Sequence, residues 1–304
     1  MATNAGFERE SVLANIRGGH MTKHELDTTL TVHTHACGEG GIFVNAYLVE
    51  TRSGVVAVDA TLSETESKNL RAELDALGKP LLAVLVTHPH PDHVAGITNL
   101  VSGLSPKIIA TQPVLELMQR LEEPKRKQWE PIFGAEWVRR WTYPNTIATS
   151  GERFDFDGVT FSVLDVGPGG DSDANSVWFI ESPKRTAFLS DLVFNGPHSY
   201  VADGHLLAWL ANLARLERLC EGMDVVFPGH GPAGAPKPLL FAQRDYLLTL
   251  AADVKELADG ELTLSDAAKA EIELRMKARY PEATLQFLIA MNLDPIAREL
   301  AGQR

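Results

Sequence analysis

Apolar positions fall into short runs and spaced stripes that divide the chain into alternating strands and helices. Residues 42–49, IFVNAYLV, and 54–60, GVVAVDA, are β-rich runs parted by the polar ETRS, which predicts a hairpin. Ser63 and Glu66 then form a capping-box pattern ahead of Leu70, Leu74 and Leu77; these leucines share one helical face, and Gly78 and Pro80 stop the helix. LLAVLV, residues 81–86, is apolar at every position, as expected of a strand covered on both faces. KIIAT at 107–111 predicts another strand and VLELMQRLEE a helix. In RFDFDGVTFSVLDVG, residues 153–167, Asp157-Gly158 sits between two alternating runs, a strong hairpin pattern. SVWFIES and RTAFLSDLVF follow as strands, HLLAWLANLARLERLC as a helix, and DVVFPGHG as a strand closing on a Gly-His-Gly turn; beyond residue 236 the pattern is wholly helical.

The order of elements predicts a mixed α/β (α+β) protein with two β-rich halves, each trailed by helices. The expected division is an extension over 1–29, a domain over 30–235 and a helical extension over 236–304 packed on that domain. One segment has two readings. In 124–145 the rings Trp129, Phe133, Trp137 and Trp141 recur every four residues, either as a helical stripe packed on the body or as an aromatic lid over a site. Pro131 and Gly134 interrupt the stripe.

Charge narrows the partners. Against 28 Lys and Arg stand 40 Asp and Glu, a formal net charge of -12, which repels phosphate backbones and anionic membranes. The expected partner is a small-molecule substrate, with no nucleic acid and no membrane; association into a homo-oligomer is compatible with the composition. The two cysteines, Cys37 and Cys220, are far apart in unlike contexts and carry no disulfide or metal-pair spacing. The opening residues lack an apolar core of signal-peptide length, and no window reaches the roughly 18 apolar residues of a membrane span. A cytoplasmic protein is expected.

The densest chemistry is THPHPDH, residues 87–93, directly after LLAVLV. Open α/β sheets bind ligands beyond the carboxyl ends of their strands, which is where this stretch falls. His88, His90, Asp92 and His93 are four metal-ligating side chains within six positions, and imidazole with carboxylate is a donor set that zinc suits. Pro89 and Pro91 stiffen the turn and reduce the entropy lost on ordering it.

With these residues in place, the chain resembles the metallo-β-lactamase superfamily, whose signature is His-x-His-x-Asp-His after a strand. The resemblance covers about residues 30–232 and implies a four-layer αββα sandwich carrying a dinuclear metal site, with the C-terminal helical extension outside it. It further implies that His88 and His90 bind a first metal and Asp92 and His93 a second. Asp191 in FLSDLVF then bridges the two, and His230 in FPGHG completes the second. The third ligand of the first metal departs from the family. Where members show Gly-His-Thr this chain reads GPGGDSDANSVW, with no histidine. Aligning Asn175 with the family's Ser or Asn puts Asp171 in the histidine's place, with Asp173 as second choice.

Two zinc ions are the implied cofactors, with iron or manganese as alternatives, since an oxygen ligand weakens the first metal as a Lewis acid. The implied activity is metal-dependent hydrolysis of an ester, lactone, amide or related acyl bond, with Asp92 as the catalytic proton carrier. The alternatives within the fold are a mononuclear iron dioxygenase acting on thiols or persulfides, and a binding module that has lost activity. Around the site, His198, Tyr200 and His205 are candidate substrate contacts. Asp59 is expected to orient the ligand loop rather than bind metal. His33 and His35, with Glu39 in HTHACGEGG, mimic a ligand pair but lack the Asp-His continuation.

Overall fold

The computed structural model describes residues 20–302. Two compact units emerge: one runs through Asp165 and includes Ser176–Phe188, the other joins Val166–Asn175 to the chain from Leu189 onward. Of the expected N-terminal extension, residues 1–19 lie outside the described residues. From His20 the chain is already a strand of the sheet.

The first unit is built on a seven-stranded sheet whose spatial order follows the chain: β1 (His20–Asp27), β2 (Leu30–Ala36), β3 (Asn45–Glu50), β4 (Val55–Val58), β5 (Leu81–Leu85), β6 (Lys107–Thr111) and β7 (Thr146–Ala148). The first four strands pair antiparallel and β4 to β7 pair parallel. Parallel neighbours need a crossover, and helices supply it: α1 (Glu64–Ala76), the short α2 (Pro91–Val94) and α3 (Ile97–Leu100), and α4 (Gln112–Phe133). Leu70 and Leu74 of α1 are buried with Val56, Val84, Leu85 and Ile109 of the strands, each worth about 1.5–3 kcal/mol of transfer energy. The Ser63 hydroxyl accepts the Glu66 N–H at 3.1 Å, so the expected cap opens the helix.

The aromatic stripe is resolved in favour of packing. α4 runs on through Pro124 and Pro131 and stops at Gly134, whose φ of 57° breaks the helix. Phe133, Trp137 and Trp141 are all buried and Trp129 is half-buried. Glu136, beside Trp137, accepts the Thr65 N–H at 2.9 Å and its hydroxyl at 3.0 Å. The segment is thereby pinned to the start of α1.

Five further strands form a second sheet in the order β12-β11-β10-β9-β8: β8 (Arg153–Phe156), β9 (Val159–Gly167), β10 (Asn175–Ser182), β11 (Thr186–Phe194) and β12 (Val226–His230). Phe156 pairs with Val159 across a two-residue turn, in which Asp157 and Gly158 both take positive φ, 56° and 79°. That is the mirror-image turn an Asp-Gly hairpin favours.

The second unit holds α5 (Leu206–Leu219), β12, and the C-terminal helices α6 (Pro236–Ala258), α7 (Asp266–Arg279) and α8 (Phe287–Ala301). Side chains of α6 and α8 hold the 194–207 segment. The Asn292 amide accepts the Val201 N–H at 2.7 Å and donates to the Ser199 carbonyl at 2.9 Å. Gln243 accepts the Phe194 N–H at 2.9 Å, and Glu299 takes the Leu206 and Leu207 N–H groups at the start of α5. Among the described residues no helix is long and apolar enough to cross a membrane.

Candidate metal centre

In the first unit, β5 ends at Leu85 and the chain turns through Thr87 into THPHPDH. Pro91 occupies the first position of α2, where its missing N–H costs nothing. This single turn of helix sets Asp92 and His93 beside His88 and His90. His88, His90, Asp92 and His93 are all buried. The His88 ring centroid lies 4.1 Å from that of His93 and 4.9 Å from that of His90.

Asp59, at the end of β4, organises this turn. Its carboxylate accepts the Thr87 N–H at 2.8 Å, the Thr87 hydroxyl at 2.6 Å and the His93 Nδ1–H at 2.9 Å. A proton fixed on Nδ1 leaves the Nε2 lone pair of His93 available to a metal. Nε2 lies 3.5 Å from the Asp92 carboxylate. Asp59 itself has φ 57° without being glycine, strain of about 1–3 kcal/mol that clusters at functional sites. The expected orienting role of Asp59 agrees with this geometry.

In the second unit, β11 and β12 bring Asp191 and His230 together, His230 Nε2 standing 3.3 Å from Asp191 Oδ2. Both are buried, and Phe194 stacks on the His230 ring at 4.8 Å between centroids. The glycines of FPGHG are a steric requirement. A Cβ on Gly229 would fall 1.7 Å from Asp191 Oδ1, and one on Gly231 1.7 Å from the Asn195 carbonyl oxygen. Ser190, just before Asp191, has φ 48°, a second strained non-glycine residue next to a ligand candidate.

The GPGGDSDAN segment is held rigidly. The Asn175 amide donates to the Ser172 carbonyl at 2.7 Å, and Asn212 donates to Gly169 at 2.9 Å and Val166 at 3.1 Å. Asp171 is 1 % exposed. Asp173 faces outward, its side chain 49 % exposed and paired with His205 Nε2 at 2.8 Å. Between the two candidate ligands, the structure buries Asp171 and occupies Asp173.

The three residues expected to face substrate part company. His198 is fully buried, its Nδ1 3.0 Å from the Tyr246 hydroxyl and its ring against Tyr280. It is a packing group of the second unit and does not face open space. Burial, with the Lys277 charge, pulls its pKa down to about 4. Tyr200 donates to Asp203 at 2.8 Å, and His205 is engaged by Asp173. The His33-x-His35 pair lies on β2 itself rather than ahead of the first strand, and the two rings serve different partners: His33 Nε2 meets Glu50 at 2.8 Å, while His35 turns to Glu73.

The donor sets suit a divalent cation: buried imidazole nitrogens and carboxylate oxygens, with the His93 ring oriented by the Asp59 carboxylate. In the first unit, donor atoms of Asp59, His88 and His93 lie within 4.8 Å of one another. Buried carboxylates in such number call for positive counter-charge.

The chain is similar to several known proteins. The chain is 33% identical over 115 residues to the uncharacterized protein YobT of Bacillus subtilis (strain 168), covering 36% of this chain and 47% of that protein. It is also 33% identical over 98 residues to hydroxyacylglutathione hydrolase of Methylobacillus flagellatus, covering 32% of this chain and 29% of the relative. The chain thus spans less than half the length of these curated relatives. Among solved structures, a metallo-beta-lactamase from Pontibacter korlensis superposes with a TM-score of 0.59 at 19% identity, over 75% of this chain and 99% of that one; at that identity the likeness shows the fold. The model of the metallo-beta-lactamase superfamily matches residues 40–235, a span that takes in every ligand candidate from His88 to His230, and the chain belongs to that superfamily.

Proposed function

We propose that this chain is a metal-dependent hydrolase that cleaves an ester, lactone, amide or related acyl bond of a small molecule. The observation that carries the reading is the buried His88, His90, Asp92 and His93 cluster at the carboxyl end of β5, with the His93 tautomer set by Asp59. In the proposed assembly His88, His90 and Asp171 would hold one cation and Asp92, His93 and His230 a second, with Asp191 as a ligand available to both. Zinc is the favoured occupant, with iron or manganese next because Asp171 adds an oxygen donor where the family has a nitrogen. Divalent cations at such a centre polarise the acyl oxygen and lower the pKa of water toward about 7. The superfamily membership and the hydrolase relative support this class of reaction.

The remaining work falls to the chain. The Asp92 carboxylate accepts a proton from the attacking water and returns it to the leaving group, and its burial keeps bulk water from competing for that proton. Asp59 holds His93 and the Thr87 backbone in register, so the ligand turn needs little reorganisation when substrate arrives. No serine or cysteine nucleophile is required.

The test is a screen of lactams, lactones, aryl esters, thioesters and phosphoesters on protein of defined metal content, with Asp92→Asn beside it. Two equivalents of metal at the His/Asp centre, turnover of an acyl substrate, and a fall in kcat of at least about 100-fold in the folded Asp92→Asn protein are expected. One iron and oxygen consumption with a thiol substrate would replace the hydrolase by a dioxygenase of the same fold.

A further inference from the structure

A second group of metal-type donors lies in the first unit, built from two separate stretches of chain. His35 is the next-to-last residue of β2, Cys37 begins the turn that follows, and Glu66 sits in the first turn of α1 with Glu73 two turns further on the same face. The donor atoms of His35, Cys37 and Glu66 lie within 4.8 Å of one another, and the three residues are 1 %, 5 % and 1 % exposed. The Cys37 N–H closes the turn onto the Val44 carbonyl at 2.9 Å. Gly41 packs so tightly on the thiol that a Cβ there would stand 2.6 Å from Cys37 Cβ and 3.0 Å from its sulfur.

We propose that His35, Cys37 and Glu66 form a structural binding site for a thiophilic divalent cation such as zinc, separate from the His/Asp centre. The imidazole is arranged as ligating histidines are: Nδ1 is hydrogen-bonded to the Glu73 carboxylate at 2.9 Å, an outer carboxylate that fixes the ring. Nε2 points at the other donors, 3.3 Å from Glu66 Oε2. Zinc at about 2.0–2.3 Å from each ligand sets tetrahedral ligand edges of roughly 3.5 Å, close to the 3.3 Å between His35 Nε2 and Glu66 Oε2, and leaves the fourth position to water.

Imidazole and thiol ligate in their deprotonated forms, so cation binding at this site is weakened by acid.

Cobalt(II) separates the two centres in one experiment, because the His/Asp centre contains no sulfur and the chain has only Cys37 and Cys220. Titration of metal-depleted full-length protein with cobalt(II) should give a thiolate-to-metal charge-transfer band in the near ultraviolet. Cys37→Ser should abolish that band and lower total metal by one equivalent, with the visible bands of the His/Asp centre intact. Cys220→Ser should change neither. Glu66→Gln, which keeps the sulfur, should raise the cobalt concentration for half-saturation of the band about tenfold or more. Absence of the band in the parent protein overturns the proposal, as does its survival in Cys37→Ser. Loss of the visible bands alone would count against the hydrolase reading and leave this site standing.

Discussion

Asp59 shows how one side chain governs a constellation it does not belong to. Its carboxylate accepts from Thr87 twice and from His93 once, and its backbone is strained to allow it. Asp59→Ala strands these donors, so metal affinity at the His/Asp centre should fall about 10–100-fold in a chelator competition; unchanged affinity would show that His93 orients itself. Asp171 and Asp173 make the complementary case. One is enclosed and the other is exposed and paired with His205, so Asp171→Ala should cost about one equivalent of bound metal by elemental analysis while Asp173→Ala costs none. The opposite ranking would shift the ligand by two positions. The chemistry of these residues was legible in their spacing. Exposure was not: His198 reads from sequence like any polar loop residue, and only the fold places Tyr246 and Tyr280 around it.

At the scale of elements, legibility followed burial. β4, β5 and β6 are apolar runs because both of their faces are covered, and they stand where the pattern put them. β1 and β2 went unread. Most of β1 is exposed, and the inward positions of β2 include His33 and His35 among the apolar ones, so no hydrophobic period marks them. α4 outran its expected length because Pro124 and Pro131 both lie on its exposed side, where water satisfies the carbonyls that lose their N–H partners. The helix thereby delivers Phe133 into the core, and Trp137 follows after the break at Gly134. Trp137→Ala should lower stability by about 3–5 kcal/mol in denaturant unfolding. A lid residue would instead change KM with stability preserved.

Across the whole molecule, acidity and buried histidines shape the pH response. His198 is held neutral, with its folded pKa below the unfolded value of about 6.5. The unfolded chain therefore takes up the proton first, and the stability this ring contributes is present above pH 6.5 and lost as pH falls toward 4. The loss is on the order of 2–3 kcal/mol. His198→Gln should flatten the stability profile over that window by a similar amount, read from denaturant midpoints at each pH; a parallel profile would refute the assignment.

Glu299 and Asn292, which secure residues 199–207 from far along the chain, also set a timetable. A ribosome delivers the start of α5 and the Glu299 that caps it 93 residues apart, a delay of roughly 5 to 20 seconds at ordinary elongation rates. During that interval the segment following Asp191 is on hand but not yet secured, and the apolar face of α5 has no α8 to tie its first turn. A nascent chain caught there offers a chaperone its longest exposure, well after the THPHPDH turn has its own strand and helix around it.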